Sequence, residues 1–221
     1  MDRRTMVHLS GFTLAALALT RCAFGGGASY RFRMTVEVQT PQGLKEGSSV
    51  YKVEAYKSFA LTSEEKEGGG AFRGQATMID LPGGPVFVLM RTGTAGLDLG
   101  EAATLALRPD AQTGHVDDYI AAVRALGHAN VVKAELPHKD WPLIVRFRNF
   151  HDPATVVLVD PATVGIMRIL VETTDAEISK GIDAQLNWLG HDRLTLGNQG
   201  TMGPPMGGSY LQNGDFWRSE K

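Results

Sequence analysis

The residues best suited to chemistry fall close together, in His138-Lys139-Asp140-Trp141 and then Arg146, Arg148, Asn149, His151 and Asp152. Side chains two apart on a strand share a face, so Arg146 and Arg148 point together, with Phe147 opposite. Two guanidinium groups beside His151 could hold an anion or the carboxylate of a peptide through charge-assisted hydrogen bonds. His151 and Asp152 are also the residue types for acid–base work, because a neighbouring carboxylate tunes an imidazole. Adjacent strand residues point apart, however, so that pair needs the backbone to turn at Pro153. The competing reading is a polar strand end closed by an Asx turn at Asp152-Pro153.

No other constellation competes with this one. The chain lacks Gly-x-Ser-x-Gly, a Walker loop, His-Glu-x-x-His, and a Gly-x-Gly-x-x-Gly opening a helix after a strand. Gly68-Gly69-Gly70 follows Glu64-Glu65-Lys66-Glu67, whose acids repel phosphate, so it reads as part of a mobile loop from Lys57 to Gly70 rather than a cradle. His115, His128, His138, His151 and His191 share no spacing that puts two rings on one metal, and the lone cysteine excludes multi-cysteine zinc or iron–sulfur sites. Neither a metal nor an organic cofactor is expected.

The elements that must position these residues follow from periodicity. Tyr30, Phe32, Met34, Val36 and Val38 alternate with Arg31, Arg33, Thr35, Glu37 and Gln39, the pattern of a strand with one buried and one wet face. Pro41-Gln42-Gly43 turns the chain into a returning strand over Ser48–Tyr56. Gly74–Leu81 and Val86–Met90 form a second hairpin around Pro82-Gly83-Gly84-Pro85, and the apolar run Phe87-Val88-Leu89 places the latter strand centrally, covered on both faces. Val116, Tyr119, Ile120 and Val123 give a helix over His115–Leu126, with Asp117 and Asp118 in its first turn. Leu143–Phe147 and Met167–Glu172 are further strands. Thr174-Asp175-Ala176-Glu177 has the capping-box pattern and predicts a helix continuing through Ile178, Ile182 and Leu186. The expected fold is α+β: a single domain, a mainly antiparallel sheet, two or three helices, strands clustered early and helices late.

At 221 residues, with 43% hydrophobic residues, the chain buries a full core without disulfide staples. Its net charge of −2 argues against a nucleic-acid partner. Arg3 and Arg4 precede an apolar run from Leu9 to Leu19 that suits a signal h-region better than a membrane span. Arg3-Arg4-Thr5-Met6-Val7-His8 resembles a twin-arginine export signal, with Met6, Val7 and His8 in place of its usual Phe, Leu and Lys. Cys22, followed by Ala23-Phe24-Gly25-Gly26-Gly27-Ala28-Ser29, resembles a bacterial lipoprotein junction, in which the thiol takes a lipid and a flexible tether follows. Arg21 stands where such junctions carry Gly, Ala or Ser, and cleavage after Ala28 is the alternative. Removing residues 1–28 takes away Arg3, Arg4, Arg21 and Asp2 and shifts the net charge to −4. The expected organisation is a signal peptide and tether over 1–28, the α+β domain over 29–196, and a Gly/Pro-rich tail over 197–221 that Phe216 and Trp217 could dock.

Tyr30–Val38, Thr40-Pro41-Gln42-Gly43, Arg73-Gly74-Gln75-Ala76, Arg146-Phe147 with Asp152-Pro153, Asp160-Pro161, Trp188-Leu189 and Gly214-Asp215-Phe216 together resemble uncharacterised proteobacterial envelope proteins of lipoprotein type. The resemblance implies residence in the periplasm or on a membrane of the cell envelope and brings no catalytic residue. Two functions follow as expectations. One is a non-catalytic binding or structural module with an envelope protein partner and, through Cys22, a membrane lipid anchor. The other is an anion- or peptide-binding, hydrolase-like enzyme using Arg146, Arg148 and His151.

Overall fold

A computed structural model describes residues 27–58, 68–94, 97–111, 114–189, 195–196 and 211–218. Cys22, the export segment, His191 and most of the C-terminal tail lie outside these residues.

The chain begins with β1 (Ala28–Thr40) and β2 (Gly43–Lys57), which pair antiparallel without a break from Ala28↔Ala55 to Thr40↔Gly43. Gly43 closes the turn at φ 111°, a left-handed value that glycine adopts without Cβ strain. β3 (Gly68–Gln75) follows and joins β2 in register from Lys57↔Gly68 to Lys52↔Arg73. The expected loop is therefore shorter, because Gly68–Gly70 pair with β2 rather than spanning a gap. Next come β4 (Thr77–Ile79), β5 (Val86–Thr92), α1 (Leu99–Leu107) and α2 (Val116–His128). β6 (Lys133–Glu135), β7 (Pro142–Phe147), β8 (Val156–Leu158) and β9 (Ile166–Thr173) follow. The chain closes with α3 (Ile182–Gln185), β10 (Thr195–Leu196), β11 (Leu211–Gln212), α4 (Asn213–Phe216) and β12 (Trp217–Arg218).

These make a six-stranded sheet of order β12-β3-β2-β1-β9-β6, a four-stranded sheet β4-β5-β7-β8, and the small pair β10-β11. All pairings are antiparallel. The fold is α+β and forms one domain, as the periodicities require. Four α-helices are described rather than two or three, and the two longer ones stand in the middle of the chain, with only the single turns α3 and α4 late. α1 carries no long amphipathic signature, and its capping signal lies in Asp98, whose side chain accepts the Glu101 N–H.

The alternation in β1 holds on its apolar face, whereas on the expected wet face Arg31, Arg33 and Thr35 are half-buried and Glu37 is buried, its carboxylate accepting from the Arg168 guanidinium. Phe32, Met34, Val36 and Val38 have no exposed surface, and burial of each such side chain contributes about 1.5–3 kcal/mol. Phe32, Tyr51 and Phe72 stack across three strands, with centroids 5.2–6.1 Å apart. Both longer helices cover this face through Leu99, Ala103, Ile120 and Val123, and the four-stranded sheet closes the core with Val86, Val88 and Ile144. That sheet's reverse face builds a second core from Phe87, Leu89, Val145 and Phe147 against Trp188, Leu211 and Phe216. β5 is thus covered on both sides, as its unbroken apolar run demands.

Two local expectations are corrected. Only Thr77–Ile79 pairs with β5, because Gly74 and Gln75 belong to β3 in the other sheet. The helix expected from Thr174 does not form. The Thr174 hydroxyl accepts from Ala176 N–H, and Arg31 donates to the carbonyls of Asp175 and Ala176. Ser179 exchanges hydrogen bonds with the Val50 backbone at 2.9 and 3.1 Å. Those tertiary bonds outweigh a modest helix propensity that Gly181, left-handed at φ 104°, weakens further, and only the single turn α3 remains.

Candidate functional site

The arginine–histidine cluster sits where β7 ends. Arg146 is half-buried on the Ile144 side of the strand, while Val145 and Phe147 enter the second core. Its Nε is buried and has no hydrogen-bond partner among the described residues. Arg148 lies one residue past the strand and is exposed, as are His151 and Asp152.

The turn that follows satisfies itself. Asp152 Oδ1 accepts from Ala154 N–H at 3.0 Å, capping the 3₁₀ turn Pro153–Thr155. Asn149 Oδ1 accepts from His151 N–H at 3.0 Å, and the Thr155 hydroxyl lies 2.7–2.8 Å from the carbonyls of Asn149 and Asp152. The Asp152 carboxylate is thus occupied as a cap, and the His151 imidazole makes no hydrogen bond among the described residues. This is the Asx-turn arrangement, and no described cavity is lined by Arg146, Arg148 or His151. Upstream, His138 stacks on Trp141 at 3.7 Å, and the Trp141 indole donates to the Leu136 carbonyl. These two residues hold the entry to β7 in place.

A different site is built where α1 and α2 begin. Asp98 caps α1, His115 precedes α2, and both stand over the start of β3. A Cβ on Gly100 would meet the Phe72 ring at 2.8 Å, so this glycine lets the α1 backbone settle onto the aromatic stack. Between them lies a cleft of about 570 Å³, with Gly68–Phe72 on one wall and Asp98, Glu101, His115, Val116 and Tyr119 on the other. A buried hydroxyl network joins β1 to α1. The Thr104 hydroxyl donates to the Gly100 carbonyl at 2.8 Å and is therefore an acceptor for Tyr30 Oη at 2.9 Å. Burial raises the Tyr119 phenol well above its ordinary pKa, and the carboxylates of Asp98 and Glu101 raise it further. Tyr30 is raised chiefly by its own burial.

Sequence reasoning missed Asp98, Glu101 and Tyr119 as a group. The available signal was Asp98-x-x-Glu101, an N-cap pattern ahead of an apolar run. Among the described residues no set of His, Cys, Asp or Glu could hold a metal, and no helix is long and apolar enough to cross a membrane. None of the family models, curated proteins or solved structures compared with the chain matches it.

Proposed function

We propose that this chain is an exported protein of the bacterial cell envelope that works by binding another envelope component rather than by catalysis. It is held to the membrane through a lipid on Cys22, or is free in the periplasm if cleavage follows Ala28. Support for export comes from the order of charge, apolar run and tether in residues 1–29. The single observation that carries the binding reading is the fate of the cluster best suited to catalysis. Asp152 caps its own turn, His151 stands exposed beside it, and the cleft described above lies elsewhere, over β3. Clefts of that size with a few convergent polar groups are the ordinary form of a ligand site.

Fractionating a Gram-negative host that expresses the full chain, with intact-mass measurement, tests the reading. The expected product lacks the first 21 to 28 residues and sits in the envelope. Cys22→Ser moves a lipidated form into the soluble periplasm without altering the fold. An unprocessed chain that stays in the cytoplasm overturns export. A hydrolytic activity abolished by Arg148→Ala or His151→Ala overturns the binding reading.

A further inference from the structure

A second cleft, of about 720 Å³, opens at the other end of α2, where β1 starts. A close approach builds it. Gly127 lies next to the last residue of α2, and a Cβ there would strike the Ser29 carbonyl, so glycine lets the helix end settle on the first residues of β1. Asn130 and Val131, leaving α2, line it together with Glu172 to Asp175 at the end of β9. Val131 is 75% exposed, more than any other large hydrophobic residue described.

The lining carries both signs of charge, on different strands. Arg31 and Lys52 stand directly opposite in the β1–β2 register, so their side chains are neighbours on one face of the sheet. Arg31 donates through Nη1 to the carbonyls of Asp175 and Ala176, which are neutral, and no carboxylate pairs with it among the described residues. Lys52 pairs with Glu54, which Arg73 shares. The β1–β2 side is therefore cationic. On the β9 side stand the carboxylates of Glu172 and Asp175. Glu172 has only Lys133, at 3.8 Å, and Asp175 is exposed. The C-terminus of α2, the negative end of its dipole, adds to that side. A ligand of one sign is repelled by half of this cleft, whereas a zwitterion satisfies both halves.

The cleft also adjoins the tether. Five residues separate Cys22 from Ala28, and the six steps between them span at most about 20–22 Å. A lipid on Cys22 thus keeps this end of the domain beside the headgroups of the bilayer. We infer that the cleft takes the zwitterionic phosphoethanolamine headgroup of a membrane phospholipid. Its phosphate pairs with Arg31 and Lys52, its ammonium donates to Glu172 and Asp175, and Val131 enters the interface next to it. This rests on the lipid-anchored form of the reading above and names the envelope component that the domain itself contacts.

The test uses Cys22→Ser protein, expressed as the full chain and recovered folded, so that no acyl chain contributes. Titration with glycerophosphoethanolamine, followed by amide NMR, is expected to give saturable shifts at Arg31, Asn130 and Asp175. Glycerophosphate lacks the ammonium and ethanolamine lacks the phosphate, and each should bind roughly tenfold more weakly, the worth of one charge-assisted contact. Lys52→Gln with Asp175→Asn should weaken glycerophosphoethanolamine at least as much, with circular dichroism showing the fold retained. Vesicles of phosphatidylethanolamine and phosphatidylglycerol in equal parts should carry the protein on flotation. Phosphatidylcholine in place of phosphatidylethanolamine should carry less, because its methylated ammonium donates no hydrogen bond. Val131→Asp should abolish flotation and leave the titration unchanged. Equal binding of glycerophosphate overturns the role of the carboxylates, and equal binding of ethanolamine overturns that of Arg31 and Lys52. Absence of saturable titration by folded protein overturns the inference while leaving export and non-catalytic binding standing. Titration without flotation overturns the membrane as the source of the headgroup. Wild-type protein without lipid mass removes the anchor alone, because both measurements are made without it.

Discussion

The buried hydroxyl network gives a quantitative test of how β1 and α1 are held together. Thr104 has no exposed surface and Tyr30 is 5% exposed. Replacing Thr104 with Val keeps the volume but removes the acceptor for the Tyr30 phenol. A buried donor left unsatisfied costs about 1–3 kcal/mol. Tyr30→Phe removes the donor instead, and Thr104 keeps its own bond to the Gly100 carbonyl, so that loss is nearer the ordinary net value of about 1 kcal/mol. In the double variant no buried phenol of residue 30 remains to be orphaned. Its cost should therefore stay near that of Tyr30→Phe and fall short of the sum by about 1–2 kcal/mol, within the usual range for residues in contact. Urea unfolding of the four proteins closes the cycle. Additivity within about 0.5 kcal/mol would mean the two hydroxyls are not coupled, and the reasoning would fail.

The strand phase is tested by adjacent residues: Phe32→Ala should cost about 3–5 kcal/mol and Arg33→Ala within about 0.5 kcal/mol by chemical denaturation, and equal losses would refute the phase. The second test is alkaline stability, because burial raises the phenols of Tyr30, Tyr51 and Tyr119 in the folded state. Below the unfolded tyrosine pKa of about 10 both states hold these protons, so stability is unaffected; above it only the unfolded state releases them, and stability falls by about 1.4 kcal/mol per pH unit for each phenol. Circular dichroism between about pH 10 and 12 should show cooperative unfolding with exposure of tyrosinate absorbance, whereas tyrosinate appearing at ordinary pH in a folded chain would contradict the burial.

What the sequence disclosed and what it concealed separate along a physical line. Period-two alternation in Tyr30–Val38 reports burial of one face directly, because each side chain's environment is set by its own strand. The unbroken Phe87-Val88-Leu89 run likewise announces a strand covered on both sides. The segment from Thr174 was misread because its competitors, Arg31 and Val50, come from the first hairpin, and no local pattern reveals a bond to them. The cleft was hidden for the same reason. Asp98, Tyr119 and Gly68 belong to three elements, and only the packing of Gly100 on Phe72 and of Val116 over Gly68 brings them to one place. The polar cluster at Arg146–Asp152 was conspicuous because it is contiguous, and a contiguous cluster is what a self-capped turn needs. A ligand site instead gathers distant residues around an opening. The triple glycine belongs to both descriptions. Read locally it is a loop; paired to β2 it is the start of a strand and lines one wall of the cleft.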